Sequence, residues 1–145
     1  MMEILCIRIG LLILAVLGAL HLKYTFADLK RPRYFVAHDK NVLPLLQNTH
    51  VKLVRNPAAN ANSFWRSYMG FHMSHSVGIL IFAAIYMCLS FIAPSILFHP
   101  VLAVILVGTG AAYSVMAHLF WFNIPFWGAS LATTLFAIGV GAYYL

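Results

Sequence analysis

The sequence predicts an all-α integral membrane protein: four transmembrane helices in an up-down bundle, with a short surface helix in a long first loop. Three observations predict it. Hydrophobic residues make up 63% of the 145-residue chain and charged residues only 8%, a balance outside that of water-soluble folds. The charge is also confined: all nine Lys and Arg lie between Arg8 and Arg66, the acids are Glu3, Asp28 and Asp39, and from Ser67 to Leu145 there is no Asp, Glu, Lys or Arg. A soluble domain could not dispense with charge over that length. Finally, apolar runs long enough to cross a bilayer occur four times, separated by charge, proline or asparagine. The chain therefore reads as a single transmembrane domain, residues 1–145.

The first span is 4–22, a nearly continuous apolar run interrupted by Arg8, whose long side chain is expected to snorkel to the interface. Leu11 to Leu20 with the small residues Ala15 to Ala19 would also suit a signal peptide, but Glu3 and the lack of an A-x-A cleavage site favour a retained helix. A basic loop, 23–64, follows. Arg31-Pro32-Arg33 and Asn56-Pro57 break helix within it, and Asn41 to Val54 predicts a surface helix with Val42, Leu43, Leu46, Leu53 and Val54 on its apolar side. Pro44 suits that helix only in its first turn.

The second span is 66–93, closed by Pro94. His99-Pro100 opens a third, 100–121, where proline is placed for an early helical position. Asn123-Ile124-Pro125 reads as a tight turn, and the fourth span is 126–145.

Orientation follows from the basic loop. Seven Lys or Arg lie in residues 23–64 and none in 91–100, so the loop is expected in the cytoplasm and both termini outside. Trp65, Trp121 and Trp127 then mark the cytoplasmic interface, and Tyr143 and Tyr144 the outer one. The formal charge of +6 belongs mostly to this loop and points to membrane lipids, anionic ones included, as partners; no nucleic-acid-binding motif accompanies it. Cys6 and Cys88 form no C-x-x-C, and each is expected to be a small buried apolar side chain rather than half of a disulfide.

With this topology His21 ends the first span, His72 and His75 open the second and His118 ends the third, so all four lie within roughly 10 Å of one interface. His21 shares a face with Gly18, His75 with Gly78 and His118 with Ser114, and small residues mark helix contacts in membranes, so the rings are expected to face inward. No carboxylate follows Asp39, which excludes paired-carboxylate acid/base chemistry and a carboxylate-bridged di-iron centre within the spans. Neutral imidazoles suit a transition metal or haem iron.

The expected site is therefore a metal or haem site of His21, His72, His75 and His118, with ligation by His75 together with His21 or His118. Asp28 or His38 from the basic loop is a further candidate ligand or base. Ser74 and Ser76 are candidate contacts to a cofactor such as a quinone, set against the ordinary habit of helical serines of bonding back to the carbonyl one turn earlier. Gly108 with Ala112, Gly110 with Ser114, Gly128 with Ala132 and Ala137 with Gly141 are small-residue seams, predicting close helix contacts and a face for a homodimer or larger membrane complex.

Phe64-Trp65, Gly70-Phe71 and Ser74-His75-Ser76-x-Gly78, together with His21-Leu22-Lys23-Tyr24-Thr25-Phe26 and Arg31-Pro32-Arg33-Tyr34-Phe35, resemble stretches of a family of small bacterial membrane proteins with four predicted spans. The resemblance covers most of the chain in layout and those short stretches in detail. It implies a multi-pass protein of the bacterial inner membrane and brings no catalytic residues with it. Two function classes follow: a membrane protein that binds a metal, haem or quinone-like ligand at its histidines, or a non-catalytic subunit or scaffold whose histidines tie helices together. A transporter or proton path is disfavoured by the lack of intramembrane carboxylates and of repeat symmetry.

Overall fold

The computed structural model describes residues 1–51 and 62–145, the side chains of Lys30, Val51 and Asn62 excepted. In chain order the elements are α1 (Met2–Lys30), α2 (Val42–Asn48), β1 (His50–Val51), β2 (Asn62–Ser63), α3 (Phe64–Ile92), α4 (Pro94–Leu97), α5 (Pro100–Phe120) and α6 (Asn123–Tyr144). Four of these helices, α1, α3, α5 and α6, are long and apolar enough to cross a membrane. The chain divides into two compact units, residues 20–78 and residues 1–19 with 79–145, so α1 and α3 each contribute a half to both.

The boundaries differ from the sequence expectation in instructive ways. α1 continues about two turns beyond Leu22, because nothing in Lys23–Leu29 breaks a helix and the first obstacle is Pro32, which disfavours helical geometry at Arg31. Asp28 therefore belongs to α1 and not to the loop. α2 is shorter than the expected Asn41–Val54: it ends at Asn48, where Thr49 turns extended with its amide still bonded to the Leu45 carbonyl, and Pro44 sits in its first turn. The expected places of Leu53 and Val54, and the Asn56-Pro57 break, lie outside the described residues. An unexpected two-residue antiparallel ladder pairs His50 with Ser63 and Val51 with Asn62.

Ser63 then caps α3, accepting a hydrogen bond from the Arg66 amide at 3.3 Å, which is why this helix starts before the charged residue. α4 is a single turn between the two prolines. At the last junction, Asn123-Ile124-Pro125 is the first turn of α6 and not a separate turn, since a proline there gives up an amide that has no partner in the first turn anyway.

The unit of residues 1–19 and 79–145 carries the main apolar core. Ile7, Leu11 and Leu14 of α1, Ile79 and Tyr86 of α3, Leu106 of α5 and Ala129, Ala132 and Phe136 of α6 are all buried in it. α5 and α6 pack along the Gly110–Ser114 seam, where Ser114 and Thr133 hydroxyls meet at 3.1 Å and the Thr133 and Phe136 side chains occupy the space a Cβ at Gly110 would need. The Gly108–Ala112 and Ala137–Gly141 seams do not pack within the described chain: a Cβ at Gly108 or Gly141 would meet nothing within 4 Å, and Ala112 and Ala137 are exposed. Small residues permit close approach but do not choose which helix face is used.

Tyr86, buried in this core, donates its hydroxyl to the Leu102 carbonyl at 2.9 Å, joining α3 to α5. Tyr86→Phe keeps the ring and loses the bond, so thermal unfolding of the purified protein should reveal a loss of about 1 kcal/mol.

Candidate functional site

The unit of residues 20–78 assembles an aromatic and imidazole cluster from three segments. The last turns of α1 supply His21, the first turns of α3 supply Tyr68, His72 and His75, and the segment after α1 supplies Phe35. In α3, Tyr68, His72 and His75 follow the i, i+4, i+7 spacing that places side chains on one helical stripe. His21 Nε2 and His72 Nδ1 lie 2.9 Å apart in a direct hydrogen bond. The His75 ring stands edge-on to His21 with centroids 5.9 Å apart.

Phe35 covers this pair. Its ring stacks on His72 at 5.0 Å with 12° between planes and tilts against His21 at 4.8 Å. Tyr68 meets His72 edge-on at 4.3 Å, and Phe71 stacks in parallel offset with His75 at 6.4 Å. These are distances at which aromatic pairs attract beyond their burial.

Phe35 is held there by Asp28, which is fully buried in the last turns of α1. Its Oδ1 accepts from the Arg33 and Tyr34 amides at 2.9 and 3.0 Å, and its Oδ2 from the Tyr34 and Phe35 amides at 3.1 and 2.7 Å. A carboxylate near a helix C-terminus faces the negative end of the helix dipole, so three convergent amides are what make this position tenable. Both oxygens of Asp28 are thereby engaged with backbone. His38, the other residue considered as a ligand or base, is exposed.

Of the four expected histidines, the structure brings His21, His72 and His75 together. His118 belongs to the other unit, where it is exposed and its ring lies 5.2 Å from Phe126. Ser74 and Ser76 each donate to their own helix, Ser74 to the Phe71 carbonyl at 2.9 Å and buried Ser76 to the His72 carbonyl at 2.8 Å, while their oxygens keep the capacity to accept. Thr25 does likewise to the His21 carbonyl at 2.8 Å. Phe35 and Tyr68 were not legible as parts of a site; Asp28 was, as a candidate ligand or base, but not as the acceptor of the Arg33, Tyr34 and Phe35 amides. Of the two missed residues only Tyr68, four residues before His72, carried a signal that could have found it.

The decisive atom is His72 Nε2. It is buried and has no hydrogen-bond partner among the described residues. The His21–His72 bond admits two proton arrangements. If His72 Nδ1 donates, its Nε2 presents a lone pair; if His21 Nε2 donates, His72 Nε2 presents an N–H. Either way a buried polar atom is left whose desolvation costs about 1–3 kcal/mol unless a partner meets it. Among the described residues no group of three or more His, Cys, Asp or Glu is arranged to hold a metal ion.

Compared with known protein families, with curated proteins and with solved structures, the chain matches none of them.

Proposed function

We propose that the chain is a multi-pass membrane protein whose imidazole cluster binds a transition metal, as a simple ion or as haem iron, through His72 Nε2. The membrane reading is supported by four long apolar helices whose outward faces remain apolar, as at Leu5, Leu12 and Val16 of α1 and Ile81 and Ile85 of α3. A water-soluble bundle would place polar residues there. With the basic loop in the cytoplasm, both termini lie outside, the helices run up and down, and the site sits near the cytoplasmic face of a bacterial inner membrane. Exposed Lys23, Arg31, Arg33, Lys40 and Arg66 would face anionic lipid headgroups at that surface.

One observation carries the metal reading: His72 has one ring nitrogen bonded to His21 and the other buried with no partner among the described residues. Imidazole ligands are ordinarily oriented by a hydrogen bond from their second nitrogen, which fixes the tautomer and strengthens the donor. Here His21 would be the orienting partner and His72 the ligand, with His75 adjacent. That assignment differs from the sequence expectation of ligation by His75 with His21 or His118. Haem iron would ask the protein for only one or two imidazoles, because the porphyrin supplies four ligands itself.

Protein purified from its native membrane should contain stoichiometric metal or show a Soret band. His72→Ala should abolish either signal, while His118→Ala should leave it in place. Wild-type protein that is colourless, metal-free and unable to take up zinc, copper or haem would remove the reading.

The alternative is a non-catalytic subunit or scaffold, and the same His21–His72 bond favours it, because that bond joins α1 to α3 directly. On this reading the wild-type protein holds no metal, and His72→Ala merely lowers the unfolding midpoint by an amount equivalent to about 1 kcal/mol.

A further inference from the structure

Arg8, the one charged residue inside an apolar run, is held by α3. Its Nε–H donates to the Ser90 hydroxyl at 3.0 Å and its Nη2–H to the Ser90 carbonyl at 2.7 Å. The guanidinium carbon lies 3.7 Å from the centre of the Phe91 ring. Ser90 is itself fully buried and points its own proton at the Met87 carbonyl, so its oxygen is committed to accepting from Arg8. The arginine is thereby fixed in orientation by one side of its planar fork.

Among the described residues nothing engages the other side. Of the five N–H donors of a guanidinium, Ser90 takes two, leaving one on Nη2 and both on Nη1. The side chain is half-buried, and Nη1 is not among the buried unpartnered atoms, so the Nη1 donors reach the surface of the unit. Among the described residues no carboxylate neutralises the charge: the ion pair present is between the Met1 amine and Glu3. Phe91 and Ile92 beside it are exposed apolar residues, at 63% and 82%. A fixed cation with unused, parallel donors on an apolar surface is the arrangement that recognises a phosphate bidentately.

Depth decides which phosphate. Ser90 lies two residues before the end of α3, about 3 Å along the axis, so Arg8 sits at the level where that helix ends. If the four helices span a bilayer, that level is the boundary between acyl chains and headgroups. We infer that Arg8, oriented by Ser90 and Phe91, is a binding site for the phosphate of a membrane phospholipid, whose acyl chains lie along the exposed apolar faces of α1 and α3. This rests on the membrane reading and is independent of the metal reading.

The test uses the full chain in detergent, titrated with phosphatidylglycerol and followed by native mass spectrometry and thermal unfolding. Wild-type protein should retain lipid at least tenfold more strongly than Arg8→Gln. Arg8→Lys, which keeps the charge without the fork, should lose several-fold, and Ser90→Ala, which removes the acceptor on Nε but keeps the carbonyl on Nη2 and the Phe91 ring, should weaken retention by a smaller factor. The two milder variants keep the test decisive if Arg8→Gln fails to fold. Equal lipid retention in wild type and all variants overturns the inference. Equal protection by the same concentration of inorganic phosphate overturns the lipid assignment in favour of free phosphate. Alkaline carbonate extraction separates the two readings: a chain released from membranes sinks the membrane reading, whereas a resistant chain with Arg8-independent lipid binding sinks only this site.

Discussion

Asp28→Ala is expected to loosen the segment that covers the histidines and to cost about 2–4 kcal/mol of stability. A buried carboxylate that accepts hydrogen bonds gains about 1.5–3 kcal/mol from each, and Asp28 gathers the amides of three successive residues. The sum is smaller than three full bonds because Arg33 and Tyr34 are exposed and their amides regain water once released. Phe35 is half-buried and stacked on His72, so its release uncovers the cluster. Hydrogen exchange gives the specific readout: the amides of Arg33, Tyr34 and Phe35 should lose protection in Asp28→Ala while those of α5 and α6 keep theirs. Asp28→Asn retains one accepting oxygen and turns an NH2 group toward amides that need an acceptor, so it should fall between wild type and alanine. Unchanged exchange at those three amides would show that the carboxylate does not hold the segment.

Gly139→Ala should be the more damaging of two glycine substitutions of identical chemistry. A Cβ at Gly139 would come to 2.6 Å from the Glu3 carbonyl oxygen and 2.8 Å from Ile7 Cγ1. The oxygen belongs to backbone and cannot swing aside, so α6 and α1 must separate, and overpacking of this kind costs about 1–3 kcal/mol. At Gly108 a Cβ would meet nothing within 4 Å, and alanine is the better helix former by about 1 kcal/mol, so Gly108→Ala should be neutral or mildly stabilising. Thermal unfolding of the two variants side by side tests the packing, since both add one methyl group to an apolar helix. A Gly139→Ala protein as stable as Gly108→Ala would mean that α1 and α6 do not approach there as closely as the structure has them.

The elements themselves were legible in the residues. Four apolar runs, the punctuation at Pro32, Pro94 and Pro100, and the confinement of charge to the N-terminal half determined which segments are long apolar helices and which segment is polar, because backbone hydrogen bonding and proline geometry act over a few residues. The boundaries missed, at Lys30, Asn48 and Asn123, lie where local preference is weak and neighbouring segments decide.

The site was legible only in part. The sequence by itself could determine that His72 and His75 share a helical stripe, since three residues along an α-helix fix that. It could not determine that His21, 51 residues away, bonds to His72, that the Asp28 carboxylate closes over the following amides, or that Arg8 meets Ser90, 82 residues on. Such pairings depend on how each helix is rotated about its own axis when it packs. An apolar helix flanked by apolar surfaces on every side carries no amphipathic pattern to record that rotation; close packing around side chains such as Phe136 sets it, and so only the tertiary structure decided which polar atoms meet.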